Sequence, residues 1–497
     1  MAKPEAERPT LVLDAGTTSV RAMLFGPDGA VLGQAVRGLD QHYPRPGWVE
    51  HDAAQIADAS TDTIRAMVER AGGADRVAAI GVTNQRETAV FWDRTTGEPL
   101  APAIVWQDRR TEPLCRWLRE AGEGDRVRAL TGLPLDPYFT AGKIAWALEH
   151  WPAVAEAGER LAVGTVDSWL LWQLTGGDHL TDATNASRTQ LMTLDGGWDA
   201  GLCELWGVPP AALPRIVDSA GELGRTPPGL FGAAIPIAGV AGDQQAATIG
   251  QGCLNPGEVK ATFGTGAFVL AATGAVPQPS HHGLLTTVAA QVAGRRSYAL
   301  EGAIFVAGSL IQWLRDGLGL LENAAESEAL ARSVPDSAGV TLVPALSGLG
   351  APWWSPKARG AVTGLSFASG RPHVVRAALE AVTLQTADLQ RAFADDGVEW
   401  TRLRIDGGMS ANDWLAQDLA DQLDRPVERP AVTETTALGA AMLAAVGIGR
   451  FDTLAEAATA MNGERDHFTP DGDAGRRAER VERWRAAVER VLAEAAD

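Results

Sequence analysis

Asp243 stands in "GVAGDQQAATIGQ", Gly239 to Gln251, where an apolar run gives way to a helix-like stretch. A carboxylate at such a junction can cap the helix, ligate a metal ion or act as a general base. On this residue alone all three roles stay open. In "AAIGVTNQRETAVFWD" an apolar strand breaks straight into Asn84-Gln85-Arg86-Glu87. The carboxyl ends of strands in α/β sheets are where ligands commonly bind. Arg86 can donate to one ligand hydroxyl and Glu87 can accept from another; the plainer reading is an ion pair between them at a strand end. Trp106 in "IVWQDRR" and Tyr138 in "LDPYFTAGK" offer an apolar wall with polar tips. That combination suits small polyols, which present CH edges beside hydroxyls, although each aromatic fits a core equally well.

Glycine turns supply a second kind of chemistry. Asp14-Ala15-Gly16-Thr17-Thr18-Ser19 exposes consecutive amides and hydroxyls with little bulk, as a phosphate chain requires, and Asp14 at the strand end can hold a hydrated magnesium ion. Gly264-Thr265-Gly266 offers a similar turn, so the two could grip a nucleoside triphosphate across a cleft. "RIDGGMSAN", Arg404 to Asn412, reads as a strand, a Gly407-Gly408 turn and a helix capped near Ser410 or Asn412. It suits a nucleotide or a tight connection equally. Neither GxxxxGK[ST] nor GxGxxG follows a strand, which excludes the P-loop and Rossmann readings.

Strands and helices must hold these groups. "LVLDAGTTSVRAMLFGPDG" and "VKATFGTGAFVLAATG" share a pattern of strand, Gly-Thr turn and strand, with Gly16 and Gly264 half a chain apart. This internal repeat predicts a duplicated α/β architecture of two lobes with a boundary near Gln251. The strands "RVAAIGVT" and "IPIAGVAG" are apolar throughout, as expected for a sheet covered on both faces. Val375, Leu379, Val382 and Leu389 predict one amphipathic helix, and Trp414, Leu419 and Leu423 another. Near the carboxyl end, Val481, Trp484, Val488 and Val491 mark a third, with a solvated charged face.

Composition narrows the partners. At 497 residues the chain exceeds one ordinary core. A formal charge of −19 argues against nonspecific nucleic-acid binding, which rests on Lys and Arg neutralising phosphates. Cys115, Cys203 and Cys253 lie far apart, so neither disulfides nor a zinc site is expected. No histidine cluster suggests a transition metal, and His281-His282 reads as a solvated loop. "MAKPEAERPT" has no apolar signal core, and no stretch nears the roughly 20 apolar residues of a membrane span. A soluble, cytoplasmic protein is expected.

Taken together, the motifs resemble those of the FGGY carbohydrate kinases. The likeness runs in order through "DAGTTSVRAMLF", "GVTNQRETAVFWD", "AIVWQDRRT", "TGLPLDPYFTAGK", "TDATNASRT", "GVAGDQQAA", "TFGTGAF", "LEGAIFVAGSLIQWLRD" and "VTETTALGAAMLA", covering nearly the whole chain. It implies two actin-like, ribonuclease H-like ATPase domains around a central cleft. Residues 1–251 would carry the acceptor site and first phosphate loop, and residues 252–497 the nucleotide site. "NQRET", "DPYF" and "GDQQ" stand as in members acting on glycerol, whereas relatives acting on five- and six-carbon sugars differ there. The implied reaction is therefore ATP-dependent phosphorylation of glycerol to sn-glycerol 3-phosphate.

The resemblance also assigns roles. Asp243 becomes the general base, and Arg86, Glu87, Trp106, Tyr138, Asp243, Gln244 and Phe268 the acceptor site. Thr17, Thr18, Ser19, Arg21, Thr265, Gly308, Gln312, Gly408 and Asn412 become the nucleotide site, with Asp14 handling Mg2+. Ala15 replaces a glutamine common in such members, and Phe263 a tyrosine. The Thr226–Ile237 stretch lacks the arginine of a fructose bisphosphate loop and the histidine that other members phosphorylate, so both controls are expected to be absent. Homodimers or homotetramers are common in the family. The rival readings are a kinase for erythritol, dihydroxyacetone or a pentulose, and an actin- or chaperone-like ATPase switch.

Overall fold

A computed structural model describes residues 7–496; the first six residues of "MAKPEAERPT" and the last residue, Asp497, lie outside the described residues. Thirteen strands form one mixed sheet. Numbered along the chain they are β1 Thr10–Ala15, β2 Ser19–Phe25, β3 Val31–Gly38, β4 Ile80–Asn84, β5 Ala220–Arg225, β6 Pro236–Gly242 and β7 Glu258–Phe263. The rest are β8 Ala267–Gly274, β9 Leu285–Val292, β10 Arg295–Ile304, β11 Arg402–Asp406, β12 Val427–Pro430 and β13 Arg465–Phe468. Their spatial order is β13-β12-β11-β7-β8-β10-β9-β5-β6-β4-β1-β2-β3.

The internal repeat reappears in the pairing. β1, β2 and β3 form an antiparallel meander, while β4 runs parallel to β1 and β6 parallel to β4. β7, β8 and β10 repeat the meander, while β11 runs parallel to β7 and β12 parallel to β11. The two halves of the sheet join through a single residue pair, Ala220 with Val292, between β5 and β9. The connection at the seam is therefore narrow.

β1 shows why its sequence is apolar throughout. Leu11 and Leu13 pack with Ile56, Ile64 and Trp169 on one face, whereas Val12 packs with Leu438 and Met442 on the other. Side chains alternate along a strand, so a sheet buried on both faces needs both sets apolar. Leu438 and Met442 belong to the Thr435–Gly447 helix, which lies against the first half although it comes late in the chain. It also clamps the Asp243–Gly250 helix. A methyl on Gly439 would run into the Ala246 carbonyl and one on Gly250 into the Thr435 carbonyl, so this close approach depends on glycine.

The expected amphipathic helices form at Arg371–Asp395, Asp413–Leu423 and Ala474–Ala496. Val375, Leu379, Val382 and Leu389 are buried, as are Trp414, Leu419, Leu423, Trp484, Val488 and Val491, while Val481 is half-buried. The strand expected over "RVAAIGVT" begins only at Ile80, because Ala74–Arg76 forms a 3-10 turn. His281-His282 does lie in a loop, but the loop is tied down: Asp396 accepts from Ser280 Oγ and the His281 amide and contacts His282 Nδ1 at 2.7 Å.

All three cysteines are buried and unpaired. Burial pushes the Cys115 and Cys253 thiols up to about 12, suppressing the reactive thiolate. Native protein is therefore expected to react slowly with an aromatic disulfide reagent at neutral pH and to expose three thiols in denaturant. Rapid native labelling would contradict this packing. Among the described residues no helix is long and apolar enough to cross a membrane.

Candidate active site

β4 ends at Asn84 and the chain turns through Gln85–Glu87, leaving Glu87 in the left-handed region with φ 62°. That conformation is unfavourable for a residue with a Cβ and persists only when its surroundings impose it. Here Thr140 Oγ1 donates to the Glu87 carbonyl at 3.1 Å, and the Thr88 amide donates to the Arg86 carbonyl.

The ion pair expected between neighbours Arg86 and Glu87 is not the main one. Their closest approach is 3.9 Å, because the strained turn directs the two side chains to different partners. Arg86 instead forms a fork with Glu301 of β10, at 2.6 and 3.1 Å, and Arg188 bridges Glu87 at 2.6 Å and Glu301 at 3.1 Å. All four groups are buried, so two cations and two carboxylates neutralise each other away from water. Burial pushes the Glu301 carboxyl up, but Arg188 and Arg86 outweigh it and hold the pKa down at about 2.

The remaining acceptor residues gather around this quartet. Arg86 Nη2 lies 3.5 Å from the Tyr138 hydroxyl, and Arg86 Nε 3.3 Å from Asp243 Oδ1. Trp106 meets Tyr138 edge-on at 5.8 Å and Phe268 at 6.5 Å, while its indole donates to Thr17 Oγ1 at 3.0 Å. Phe268 lies on β8, so the aromatic row joins the two halves of the sheet.

Asp243 is the first residue of its helix, so of the roles open to it the cap itself falls to Gly242. β6 runs into the helix without a turn. Asp243 Oδ1 accepts from the Gln244 amide at 2.7 Å. A carboxylate in a first helical turn is also favoured by the helix dipole. Its side chain keeps 32% exposure while Arg86 beside it has 2%. Burial raises its pKa; Arg86 and Lys260 oppose the rise and the charge of Asp14 adds to it.

Asp14, the last residue but one of β1, lies close enough for its charge to act on Asp243. Arg21 on β2 donates to Asp14 Oδ2 at 2.7 Å and to Glu434 at 2.6 Å, linking the first strands to the chain just before the Thr435–Gly447 helix. Burial raises Asp14's pKa and Arg21 opposes it. The Gly16 amide closes the turn onto the Ser19 carbonyl, and Thr18 is exposed at its tip.

In the other half, Thr265 is exposed at the tip of the β7–β8 turn. Gly308 opens the Gly308–Asp316 helix and donates its amide to the Gly264 carbonyl at 2.9 Å; a side chain there would strike that carbonyl. Gly407, with φ 84°, sits so close to the Phe263 carbonyl that a methyl would lie 2.5 Å from it, while one on Gly408 would meet nothing within 4 Å. Three backbone turns are thus stacked with an open face at Gly408. Gln312 is exposed one turn along its helix. Asn412 is the residue that caps the Asp413–Leu423 helix: its Oδ1 accepts from Leu415 N at 3.0 Å and its amide reaches Ser327 at 3.4 Å. Ser410 instead donates to the Gly407 carbonyl. The side chain of Asn412 is therefore occupied by the fold.

Arg188, Glu301, Lys260 and Glu434 carry no role in the sequence reading. Lys260 is fully buried and donates to Gln244 at 2.5 Å. Lys260 in "VKATF" and Glu301 in "YALEGAIF" are lone charges in otherwise apolar strands, and full burial of such residues requires a partner. That was their available signal. Among the described residues no group of three or more His, Cys, Asp or Glu is placed to hold a metal ion. A surface groove of about 620 Å3 lined by Gln422, Arg477, Val481 and Arg485 runs along the carboxyl-terminal helix and involves none of the acceptor residues.

Comparison with known proteins agrees with this architecture. Residues 10–250 match the N-terminal domain, and residues 259–448 the C-terminal domain, of the FGGY family of carbohydrate kinases. The chain belongs to this family. Within it, the chain is 55% identical to a glycerol kinase of Aromatoleum aromaticum over 97% of this chain and 98% of that one. It is 52% identical to a glycerol kinase of Rhodospirillum centenum over 99% and 100%. Among solved structures, Plasmodium falciparum glycerol kinase with ADP superposes with a TM-score of 0.92 at 33% identity, covering 98% of each chain. A xylulose kinase of Rhodospirillum rubrum superposes at 0.88 with 29% identity, covering 99% of this chain and all of that one. The fold is the two-domain actin-like ATPase fold of these kinases.

Proposed function

We propose that the chain transfers the γ-phosphoryl group of ATP to the terminal hydroxyl of glycerol, giving sn-glycerol 3-phosphate, with Asp243 as the general base. The observation that carries this reading is the convergence of Asp243, Arg86, Tyr138 and Trp106 with Phe268 of the second half, in a chain 55% and 52% identical to two glycerol kinases. Arg86, Glu87 and Tyr138 hold two hydroxyls of the triol, and its carbon edge lies on Trp106 and Phe268. Gln244, whose side-chain oxygen accepts from Lys260, completes the acceptor set. The partly exposed Asp243 carboxylate accepts the proton of the third hydroxyl as the phosphoryl group arrives. Closure of the two domains excludes water, the competing acceptor.

The nucleotide lies over the stacked turns at Thr265, Gly308 and Gly408, with Thr17, Thr18, Ser19 and Arg21 on the phosphates. Gln312 is exposed for a contact with the nucleotide; Asn412 acts by holding its helix. Mg2+ commonly binds through one or two carboxylates, with phosphates and waters completing its shell. Asp14 fits that pattern, since Arg21 takes Oδ2 and leaves Oδ1, and the ion when bound neutralises phosphate charge. The acceptor domain spans residues 1–251 and the nucleotide domain 252–497. A cytoplasmic homodimer or homotetramer accords with family habit.

An acceptor panel tests the reading. With Mg-ATP, glycerol is expected to give the highest kcat/KM for ADP release, ahead of erythritol, dihydroxyacetone and pentuloses, with little release when no acceptor is present. Preference for a pentulose would move the chain to another acceptor, and equal turnover without a polyol would favour an ATPase switch. The Thr226–Ile237 stretch supplies neither arginine nor histidine, so fructose bisphosphate at millimolar concentration is expected to leave activity unchanged. Inhibition in the same assay would contradict this.

A further inference from the structure

Lys143 has no part in the reaction described above, yet it is a cation with 0% exposure. It lies in the first turn of the Thr140–His150 helix. Its Nζ donates to three consecutive carbonyls of the preceding loop, Pro137 at 2.8 Å, Tyr138 at 2.5 Å and Phe139 at 3.1 Å. An ammonium has three donors, and all three are thereby matched. The chain folds around the cation.

The loop it gathers is the one carrying Tyr138, whose hydroxyl faces Arg86 and whose ring stands against Trp106. Thr140, at the start of the same helix, donates to the carbonyl of Glu87, the residue held at φ 62°. One helix start thus grips two sides of the acceptor pocket, and Lys143 supplies the grip on the aromatic side. Packing could not replace it: an apolar side chain here would leave three loop carbonyls without their common donor, and unsatisfied carbonyls turn toward other partners.

We propose that Lys143 is a positioning residue for the acceptor site, fixing Tyr138 against Arg86 and Trp106 and so setting affinity for the polyol without touching it. The proposal rests on the glycerol reading above. Among the described residues the side-chain hydrogen bonds of Lys143 all go to the Pro137–Phe139 loop and none to the turns at Thr265, Gly308 or Gly408, so the effect should be confined to the acceptor.

The test compares wild type, Lys143→Gln and Lys143→Met by glycerol titration calorimetry and steady-state kinetics in both substrates. Removing all three donors in Lys143→Met is expected to weaken glycerol binding about tenfold or more, the scale of one well-made hydrogen bond. The KM for ATP should change less than about twofold on the same scale. Lys143→Gln keeps two N–H donors and should fall between. Unchanged glycerol affinity would overturn the proposal, as would glycerol and ATP constants rising together. If Lys143→Met does not fold, the same split in Lys143→Gln decides. A wild-type chain that binds no glycerol would overturn the acceptor reading itself, and this proposal with it.

Discussion

Asp243→Asn is expected to lower kcat by about 10² to 10⁴, the usual contribution of a positioned general base, while leaving ATP affinity nearly intact. Asparagine has the same size, and its carbonyl can still accept from the Gln244 amide as the carboxylate does at 2.7 Å. What it lacks is the capacity to take the hydroxyl proton. Because burial raises the Asp243 pKa, the acid limb of the kcat profile should fall at a higher pH than for an ordinary aspartate, and the limb should vanish in the variant. The stability effect has a definite sign. A carboxyl whose folded pKa is raised favours the fold below its unfolded pKa and loses that contribution as pH rises through the folded value. At neutral pH the neutral amide should therefore melt no lower than the carboxylate. A variant with normal turnover would remove Asp243 from this role, and one with a strongly lowered melting temperature would make it structural.

Glu301→Ala should damage both fold and affinity. Glu301 is shared by Arg86 and Arg188, and all three side chains are almost fully enclosed. Removing it leaves two buried guanidiniums facing only Glu87 and, beside Arg86, the partly exposed Asp243, and undercompensated buried charge of this kind costs about 3–5 kcal/mol. Glu301 has a lowered pKa, so its contribution is present above the unfolded carboxyl range and disappears only as pH falls through about 2. Across the working pH range the loss should be constant. Arg86 would also lose the fork that aims it, so the KM for glycerol should rise more than that for ATP. Thermal melting and kinetics varying each substrate measure the two effects. Unchanged melting together with an unchanged glycerol constant would show that the quartet is neither a keystone of the fold nor a support of the site.

The repeat around Gly16 and Gly264 was legible because both hairpins retain the same strand and turn pattern, and the two halves of the sheet reproduce it. Arg86, Tyr138, Trp106 and Asp243 could be selected because each stands at an abrupt break between apolar and polar sequence. Their partners were not, since Glu301 and Arg188 reach Arg86 and Glu87 through contacts spanning 101 to 215 positions. Periodicity reports which face a residue occupies, not which distant charge meets it. For the same reason the Arg86–Glu87 pair suggested by adjacency gave way to longer-range pairs once the turn at Glu87 adopted a positive φ. That a helix starts at Asp243 was legible from the break between apolar run and polar stretch, but not that Gly242 takes the cap, because hydrophobic pattern does not separate the two positions. The Thr435–Gly447 helix, nearly all apolar, gave no sign that its small residues serve a close approach to the helix bearing Asp243.

Phosphoryl transfer to glycerol is tested most directly by the product balance of purified protein given Mg-ATP and glycerol, followed by phosphorus NMR. One sn-glycerol 3-phosphate is expected for each ADP, with no phosphate on the central hydroxyl and little inorganic phosphate. ADP and inorganic phosphate formed in equal amounts, independent of glycerol, would contradict it.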